Sequence, residues 1–221
     1  MKRIISIIMV ALLLTAHVAY GSTSNTETKE TQAVTEGQKE NSAEASSQET
    51  AKKTESKAPA ATAHSDVLVA YFSATGTTKG VAEKIASITG GDLYEILAAE
   101  PYTSDDLNYN DSNSRSTKEQ NDKNVRPEIG SEDITLEDYT TVYLGFPIWW
   151  GEEPRILDTF VEKYSFEDIT VIPFCTSASS GIGHSGPNME ALAGNGTWLD
   201  GKRFDGSVSE ADLQSWIEGL N

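Results

Sequence analysis

The sequence predicts an α/β fold for residues 66–221, with helices packed on a mainly parallel sheet. Three observations support this class. Short apolar runs rich in β-forming residues recur in this part of the chain, segments with helical spacing of apolar residues separate them, and glycines or small polar residues mark the junctions. Strands that alternate with helices form βαβ units, which favour a parallel sheet.

The apolar runs predict five strands. The first, residues 66–72, is almost continuously apolar, which is typical of a strand buried on both faces of a parallel sheet. The last is expected as two short pieces joined by a tight turn at Asp200 and Gly201. After the first strand, the predicted strands are residues 93–97, 141–146, 169–174, and 197–199 with 202–204.

Helices are predicted between these strands. Val81, Ile85 and Ile88 follow a spacing of i, i+4 and i+7, so we expect a helix over residues 78–89 that ends at Gly90. Further helices are predicted with Pro154 as a first residue, after residues 186–187, behind a cap at Ser209, and over residues 115–123 within a polar insertion at residues 101–138.

The first 21 residues have the pattern of a signal peptide. Lys2 and Arg3 precede an apolar core at residues 4–14, and small residues at Ala19 and Gly21 fit cleavage after Gly21. The apolar stretch is shorter than the roughly 18–20 residues that span a bilayer. We therefore expect an exported, extracytoplasmic protein, secreted or associated with the cell surface. Tethering to the membrane by an uncleaved segment is the alternative.

Residues 22–65 are expected to form a disordered linker. They are dominated by Ser, Thr, Glu, Lys, Ala and Gln, contain no aromatic residue, and have Val34 as their only branched aliphatic residue. Such a segment buries too little apolar surface to offset the entropy of ordering. A helix, favoured by the Ala, Glu and Lys content, ranks second because apolar periodicity is absent.

The acidic charge is confined to the predicted domain. Residues 1–65 hold seven Glu against seven Lys or Arg, so the net charge of −17 falls on residues 66–221. This charge argues against nucleic acid or an anionic membrane surface as the partner of the domain. Cys175 is the only cysteine, which rules out an intramolecular disulfide and a Cys-based metal cluster, and the three histidines show no metal-ligand spacing.

In an open α/β sheet, ligands bind outside the carboxyl ends of the strands. The loop Ser73–Thr78 follows the first strand and packs four hydroxyls and a glycine into six residues before a predicted helix start. Hydroxyls and a helix N-terminus suit a phosphate group. The GxxxxGK[ST] pattern is absent, so a nucleoside triphosphate is not expected. A plain polar turn with a helix cap is an equal alternative.

Two further loops point to the same edge of the sheet. Trp149 and Trp150 follow the third strand, and at least one is expected to line a cleft and stack on a flat heterocycle, although both could instead cover the core. Residues 176–186, after the fourth strand, are rich in hydroxyls and glycine and can bring backbone groups close to a ligand, as a flexible loop also could.

Taken together, these loops resemble those of the flavodoxin family. The resemblance covers residues 66–220, includes the phosphate-loop motif [ST]-x-T-G-x-T at residues 73–78, and extends to a bacterial flavodoxin-like subfamily with a Trp-Trp loop and an Arg126-Pro127 pair. It implies a doubly wound, five-stranded parallel sheet of order 2-1-3-4-5, helices on both faces, and FMN as a noncovalently bound cofactor.

The resemblance also implies which residues bind FMN. The phosphate would be held by Ser73, Thr75, Gly76, Thr77 and Thr78. Trp149 would stack on the isoalloxazine ring, and Thr176 and Ser177 would contact its pyrimidine edge. The third loop lacks the second stacking aromatic that many flavodoxins have. The remaining candidate cofactor-binding residues are Pro147, Ile148, Trp150, Gly151, Ala178 and Gly181.

No catalytic residue and no metal site is predicted, since neither a nucleophile–base pair nor GxSxG accompanies these loops. The favoured function is electron transfer by bound FMN between redox partner proteins, with basic patches on the partners facing the acidic domain. An FMN-dependent NAD(P)H:quinone-type oxidoreductase is the alternative, and a flavin-free binding module is a second one. Cys175 is expected to be a small buried hydrophobe.

Overall fold

The computed structural model describes residues 65–220 of the chain. The predicted signal peptide and residues 22–64 of the predicted linker lie outside the described residues. Within residues 65–220, no helix is both long enough and apolar enough to span a bilayer.

Strands and helices alternate along the described part of the chain. The strands are β1 Val67–Tyr71, β2 Asp92–Glu95, β3 Thr141–Pro147, β4 Thr170–Thr176, β5 Thr197–Trp198 and β6 Lys202–Phe204. The helices are α1 Thr77–Thr89, α2 Arg115–Asn121, α3 Arg155–Lys163, α4 Ser185–Ala193 and α5 Glu210–Glu218.

All strand pairs in the sheet are parallel, in the order β2-β1-β3-β4-β5, and β6 also pairs with β4. The predicted α/β fold and strand order are confirmed. Because β1, β3 and β4 are neighbours that run in one direction, their carboxyl ends lie side by side. The three polar loops that follow them therefore meet at one edge of the sheet.

The core has two parts, one on each face of the sheet. Leu68 and Ala70 of β1 belong to a cluster that includes residues of α3 and α4. Val69 and Tyr71, which alternate with them, belong to a second cluster that includes residues of α1 and α5. Alternation along a strand thus directs side chains to two helical layers, and the sheet is doubly wound as expected.

The fifth strand differs from the prediction. Thr197 in β5 pairs with Thr170, and Lys202 in β6 pairs with Phe174, both in parallel register with β4. The chain does not reverse, so the predicted tight turn is wrong, and β5 and β6 form one interrupted edge strand. At the interruption, a Cβ on Gly201 would lie 2.9 Å from the Pro173 carbonyl oxygen, so the chain passes too close to β4 for a side chain.

Several element boundaries also shift. Pro154 caps α3 and Arg155 is its first residue, one position later than predicted. Helix α4 begins at Ser185, so Pro187 lies in its first turn, where a backbone N–H has no helical partner to lose. Strand β2 is Asp92–Glu95, and Leu97, expected within it, lies beyond its end with 49 % of its surface exposed.

One glycine in the central strand β3 has no room for a side chain. Gly145 pairs with Phe174 of β4, and a Cβ at this position would lie 2.2 Å from the Phe174 ring. Gly80, in α1, is the opposite case, because a Cβ there would meet nothing within 4 Å.

The Gly145→Ala substitution is expected to lower the free energy of unfolding by about 2–3 kcal/mol, because the methyl group must displace a buried ring. Gly80→Ala should instead raise it by about 0.5–1 kcal/mol, through helix propensity. Urea unfolding followed by tryptophan fluorescence measures both changes. Equal stability of the two variants would contradict the packing described for β3.

Candidate functional site

The loop Ser73–Thr78, which follows β1, leaves the start of α1 exposed to solvent. Gly76 has a φ of +87°, a left-handed conformation that favours glycine, and its N–H donates to the Ser73 hydroxyl at 3.1 Å. Within the described residues, no side chain caps α1 and no acidic residue occupies its first turn. The N–H groups and positive dipole end of this helix are thus available to an anion.

The four hydroxyls of the loop have different roles. Thr75 and Thr77 are exposed, and their hydroxyl oxygens lie 3.5 Å apart. The Thr78 hydroxyl is buried and forms a 2.8 Å hydrogen bond with the hydroxyl of Thr176. The Ser73 hydroxyl accepts from the Gly76 N–H. Two hydroxyls therefore face outward, while the other two hold the loop in place.

A cavity of about 630 Å³ lies where the loops meet. This volume is within the usual range of small-molecule sites. Its lining comprises Thr75, Thr77, Tyr109, Pro147, Ile148, Thr176, Ser177, Ala178, Ser179, Ser180, Asp205 and Gly206. Seven of the fourteen candidate residues are among them. The other seven, which do not line it, are Ser73, Gly76, Thr78, Trp149, Trp150, Gly151 and Gly181.

The two adjacent tryptophans differ in exposure. The Trp149 side chain is only 2 % exposed and packs edge-on against the rings of Phe72 and Tyr102, at centroid distances of 5.5 and 5.1 Å. The prediction that Trp149 offers its ring to a ligand is therefore wrong. Trp150 is 42 % exposed, and it is the indole that remains open for stacking.

A tight turn separates the two indoles. Trp149 and Glu152 exchange two backbone hydrogen bonds of 3.0 Å, and Trp150 and Gly151 between them have φ values of +48° and +86°. A two-residue turn with both φ values positive reverses the chain sharply. At Trp150 this left-handed conformation costs about 1 kcal/mol or more. The turn keeps the Trp150 indole outside the core.

An aromatic residue from the polar insertion completes the site. Tyr109 lines the cavity, is 54 % exposed, and lies beside Trp150 with a centroid distance of 4.5 Å and an interplanar angle of 40°. No sequence pattern predicted this contact, because no periodicity connects residues 101–138 to the loops. The insertion thus supplies an aromatic ring of the kind that the third loop lacks.

Helix α2 of the insertion also binds the turn at residues 149–152, here called the tryptophan turn. The Gln120 side-chain amide donates to the backbone oxygens of Trp149 (2.9 Å) and Glu153 (3.1 Å). Arg155 is buried and pairs with Glu152 at 2.7 Å and with Asp158 at 3.4 Å. A polar layer therefore ties the turn to α2 and α3.

One carboxyl group in this layer is electrostatically strained. Asp158 is 2 % exposed, and burial, together with the nearby charge of Glu153, raises its pKa to about 6. Arg155 and Arg126 act in the opposite direction but do not compensate fully. The ionised form of Asp158 is thus less favourable in the folded protein than in the unfolded chain.

Residues of β6 form hydrogen bonds with the third loop, residues 176–186, which follows β4. The Ser177 N–H donates to the Phe204 carbonyl oxygen at 3.3 Å, and the Arg203 guanidinium donates to the carbonyl oxygens of Ser177 and Ala178. Asp205 and Gly206, after β6, line the cavity and were also missed. Both follow the carboxyl end of the fifth strand, and ligands bind outside the carboxyl ends of strands in such sheets, so this position could have predicted them.

Cys175 is fully buried at the end of β4, and burial raises the pKa of its thiol to about 12. It remains a protonated thiol at neutral pH, which confirms the prediction of a small buried hydrophobe. Among the residues described, no group of three or more His, Cys, Asp or Glu side chains is arranged to hold a metal ion.

The fold resembles known families and solved structures. The family model described as flavodoxin matches residues 66–220. A provisionally assigned flavoprotein from Bacteroides eggerthii DSM 20697 is 43 % identical, with a TM-score of 0.66, over 70 % of this chain and 96 % of that one. A second, from Bacteroides uniformis ATCC 8492, is 40 % identical, with a TM-score of 0.67, over 71 % and 99 %.

A more distant solved structure holds a ligand. It is a flavoprotein from Lactobacillus acidophilus NCFM in complex with FMN, 25 % identical to this chain, with a TM-score of 0.52, over 68 % of this chain and 97 % of that one. The comparison with curated proteins gave no significant match.

The raised pKa of Asp158 predicts a pH-dependent effect of Asp158→Asn on stability. Between the unfolded pKa near 4 and the folded pKa of about 6, the folded wild type binds more protons than its unfolded chain. The contribution of Asp158 to the folding stability of the wild type therefore falls as pH rises through this window. The stability of Asp158→Asn relative to wild type should rise by about 1–2 kcal/mol from pH 4 to pH 7, allowing for solvent screening.

Urea unfolding at both pH values measures this change, with Asp105→Asn at an exposed site as the control. A relative stability of Asp158→Asn that stays constant or falls with pH would contradict the electrostatic strain.

Proposed function

The chain belongs to the flavodoxin family, and we propose that it binds FMN in the cavity at the carboxyl ends of the strands and carries electrons between redox proteins. The observation that carries this proposal is the joint presence, around one cavity, of a phosphate-type cradle and the exposed aromatic ring of Tyr109, against which Trp150 packs. Bound FMN supplies the electron-accepting and electron-donating chemistry, while the protein supplies binding and electrostatics.

The cradle suits the phosphate group of FMN. It combines the uncapped start of α1 with the outward hydroxyls of Thr75 and Thr77, and its first helical turn holds no acidic residue among those described. A dianionic phosphate gains charge-assisted hydrogen bonds from such donors. Ser73 and Gly76 serve this end of the site by fixing the loop, and Thr78 serves it by anchoring the loop to β4.

The other parts of the lining suit a flat ring system. Tyr109, Pro147 and Ile148 supply apolar surface, and Trp150 lies against Tyr109. Residues 177–180 supply backbone polar groups for the ring's hydrogen-bonding edge. The complex of the Lactobacillus acidophilus relative with FMN supports the same ligand here. We therefore assign the stacking role to Tyr109 and Trp150 rather than to Trp149.

The cavity lining meets the needs of an electron carrier. Asp205 and Tyr109 are the titratable residues that line it, and the Asp205 carboxylate accepts from Ser207 while pairing with Arg203 at 3.8 Å. An electron carrier needs no further acid, base or nucleophile, because the redox chemistry belongs to the cofactor.

The charge of the domain indicates the kind of partner. With the net charge of −17 confined to residues 66–221, association with a protein bearing a basic patch would be accelerated by electrostatic steering and slowed by salt. The signal-like residues 1–21 support a site of action outside the cytoplasm, with a membrane-bound or extracellular redox protein as partner.

The protein mixed with FMN and desalted should retain the visible absorption bands of bound flavin. The double substitution Thr75→Ala, Thr77→Ala should weaken FMN binding by at least ~100-fold, because two hydrogen bonds to a charged group are lost. Thr135→Ala, Thr197→Ala removes two exposed hydroxyls outside the cavity and serves as the matched control.

A wild-type protein that stays colourless would overturn the proposal and favour a flavin-free binding module. Equal FMN affinity of the two double variants would place the phosphate elsewhere. With FMN bound, steady turnover of NAD(P)H with a quinone would favour the oxidoreductase, whereas chemical reduction without such turnover is the result expected of a carrier.

A further inference from the structure

A cation lies directly behind the third loop of the cavity. Arg203, on β6, donates from Nε to the Ser177 carbonyl oxygen at 3.0 Å and from Nη2 to the carbonyl oxygens of Ser177 and Ala178. Ser177, Ala178 and Ser179 line the cavity, whereas Arg203 does not. The loop backbone therefore stands between the guanidinium and any ligand in the cavity.

This contact fixes the orientation of two peptide groups. The described residues contain no cis peptide bond, and in a trans peptide the N–H points opposite to the C=O. Since the carbonyls of Ser177 and Ala178 point at Arg203, the N–H groups of Ala178 and Ser179 point away from it. Within residues 65–220, neither N–H donates to a protein acceptor. Two free donors thus lie in the cavity wall, on the side opposite the cation.

We propose that Arg203 is a positioning residue that raises the reduction potential of FMN bound in this cavity. It does so by directing the Ala178 and Ser179 N–H groups at the ligand and by placing a positive charge behind them. The inference rests on the proposed binding of FMN. It opposes the effect of the acidic domain, which by itself disfavours negative charge on the ligand.

The effect follows from the charge change on reduction. Uptake of two electrons and one proton converts the neutral oxidised ring into a reduced ring with one negative charge. Oriented N–H donors and a nearby cation favour the anionic ring over the neutral one. Arg203 therefore strengthens binding of reduced FMN more than binding of oxidised FMN, which is equivalent to a higher potential.

The test compares substitutions at two adjacent positions of β6. Arg203→Gln and Arg203→Met remove the charge and the two-carbonyl contact, and Arg203→Lys keeps the charge without the planar fork. Lys202→Gln removes one positive charge from the exposed neighbouring residue, whose side chain lies on the other face of the strand. For each FMN-loaded protein, the midpoint potential is measured by dithionite titration against a reference dye, and the Kd for oxidised FMN is measured separately.

Loss of the cation in Arg203→Gln should lower the preference for reduced over oxidised FMN about tenfold, or about 30 mV for a two-electron couple. Arg203→Met should lower the potential by a similar amount, and it serves as the test if Arg203→Gln does not fold. Arg203→Lys should lie between these variants and wild type. Lys202→Gln should leave the potential unchanged, because its charge does not act through the loop.

Two results would overturn the inference. The first is an unchanged potential in a folded Arg203→Gln or Arg203→Met protein, even with weakened binding of oxidised FMN, because a merely structural role affects both redox states equally. The second is an equal shift in Lys202→Gln, which would assign the effect to net charge. Either result leaves the proposed function standing, whereas failure of the wild type to bind FMN would refute it.

Discussion

The site depends on one buried hydrogen bond between hydroxyl groups. Thr78, at the start of α1, and Thr176, at the end of β4, lie 98 residues apart in sequence, and their hydroxyl oxygens are 2.8 Å apart. The Thr176 carbonyl oxygen also accepts from the Ile148 N–H at 3.1 Å. Thr176 therefore joins the loops after β1, β3 and β4. The parallel register of these strands brings the loops together, and this polar link fixes their relative positions in a place where unpaired polar groups would be costly.

Around this link, the protein separates the roles of rigid support and ligand contact. Buried groups such as Gln120 and Arg155 bind the backbone and side chains of the tryptophan turn from behind, and Arg203 does the same for the third loop. The exposed hydroxyls of Thr75 and Thr77 line the cavity and face a ligand there. Backbone segments that are already held in place lose little further conformational entropy when they bind a ligand.

The sequence predicted the fold and the location of the site better than its side-chain detail. The run at residues 66–72 and the spacing of Val81 and Ile85 reflect burial on a sheet and on a helix, and burial is what those patterns report. Which of Trp149 and Trp150 is exposed depends on the positive φ values of the turn, which adjacent identical residues do not reveal. Tyr109 reaches the site through the fold of a polar insertion, and Arg203 through pairing of β6 with β4, so neither contact has a local sequence signal.

Amide ¹H–¹⁵N NMR spectra of the protein with and without FMN test the placement of the ligand most directly. If FMN binds in the cavity, the largest shifts on its addition occur at the α1 start, at Ile148, at residues 177–180 and at Gly206, which surround the cavity. Shifts concentrated elsewhere, for example near Arg126 and Asn188, would contradict the placement of the ligand. A spectrum unchanged at saturating FMN would contradict FMN binding itself.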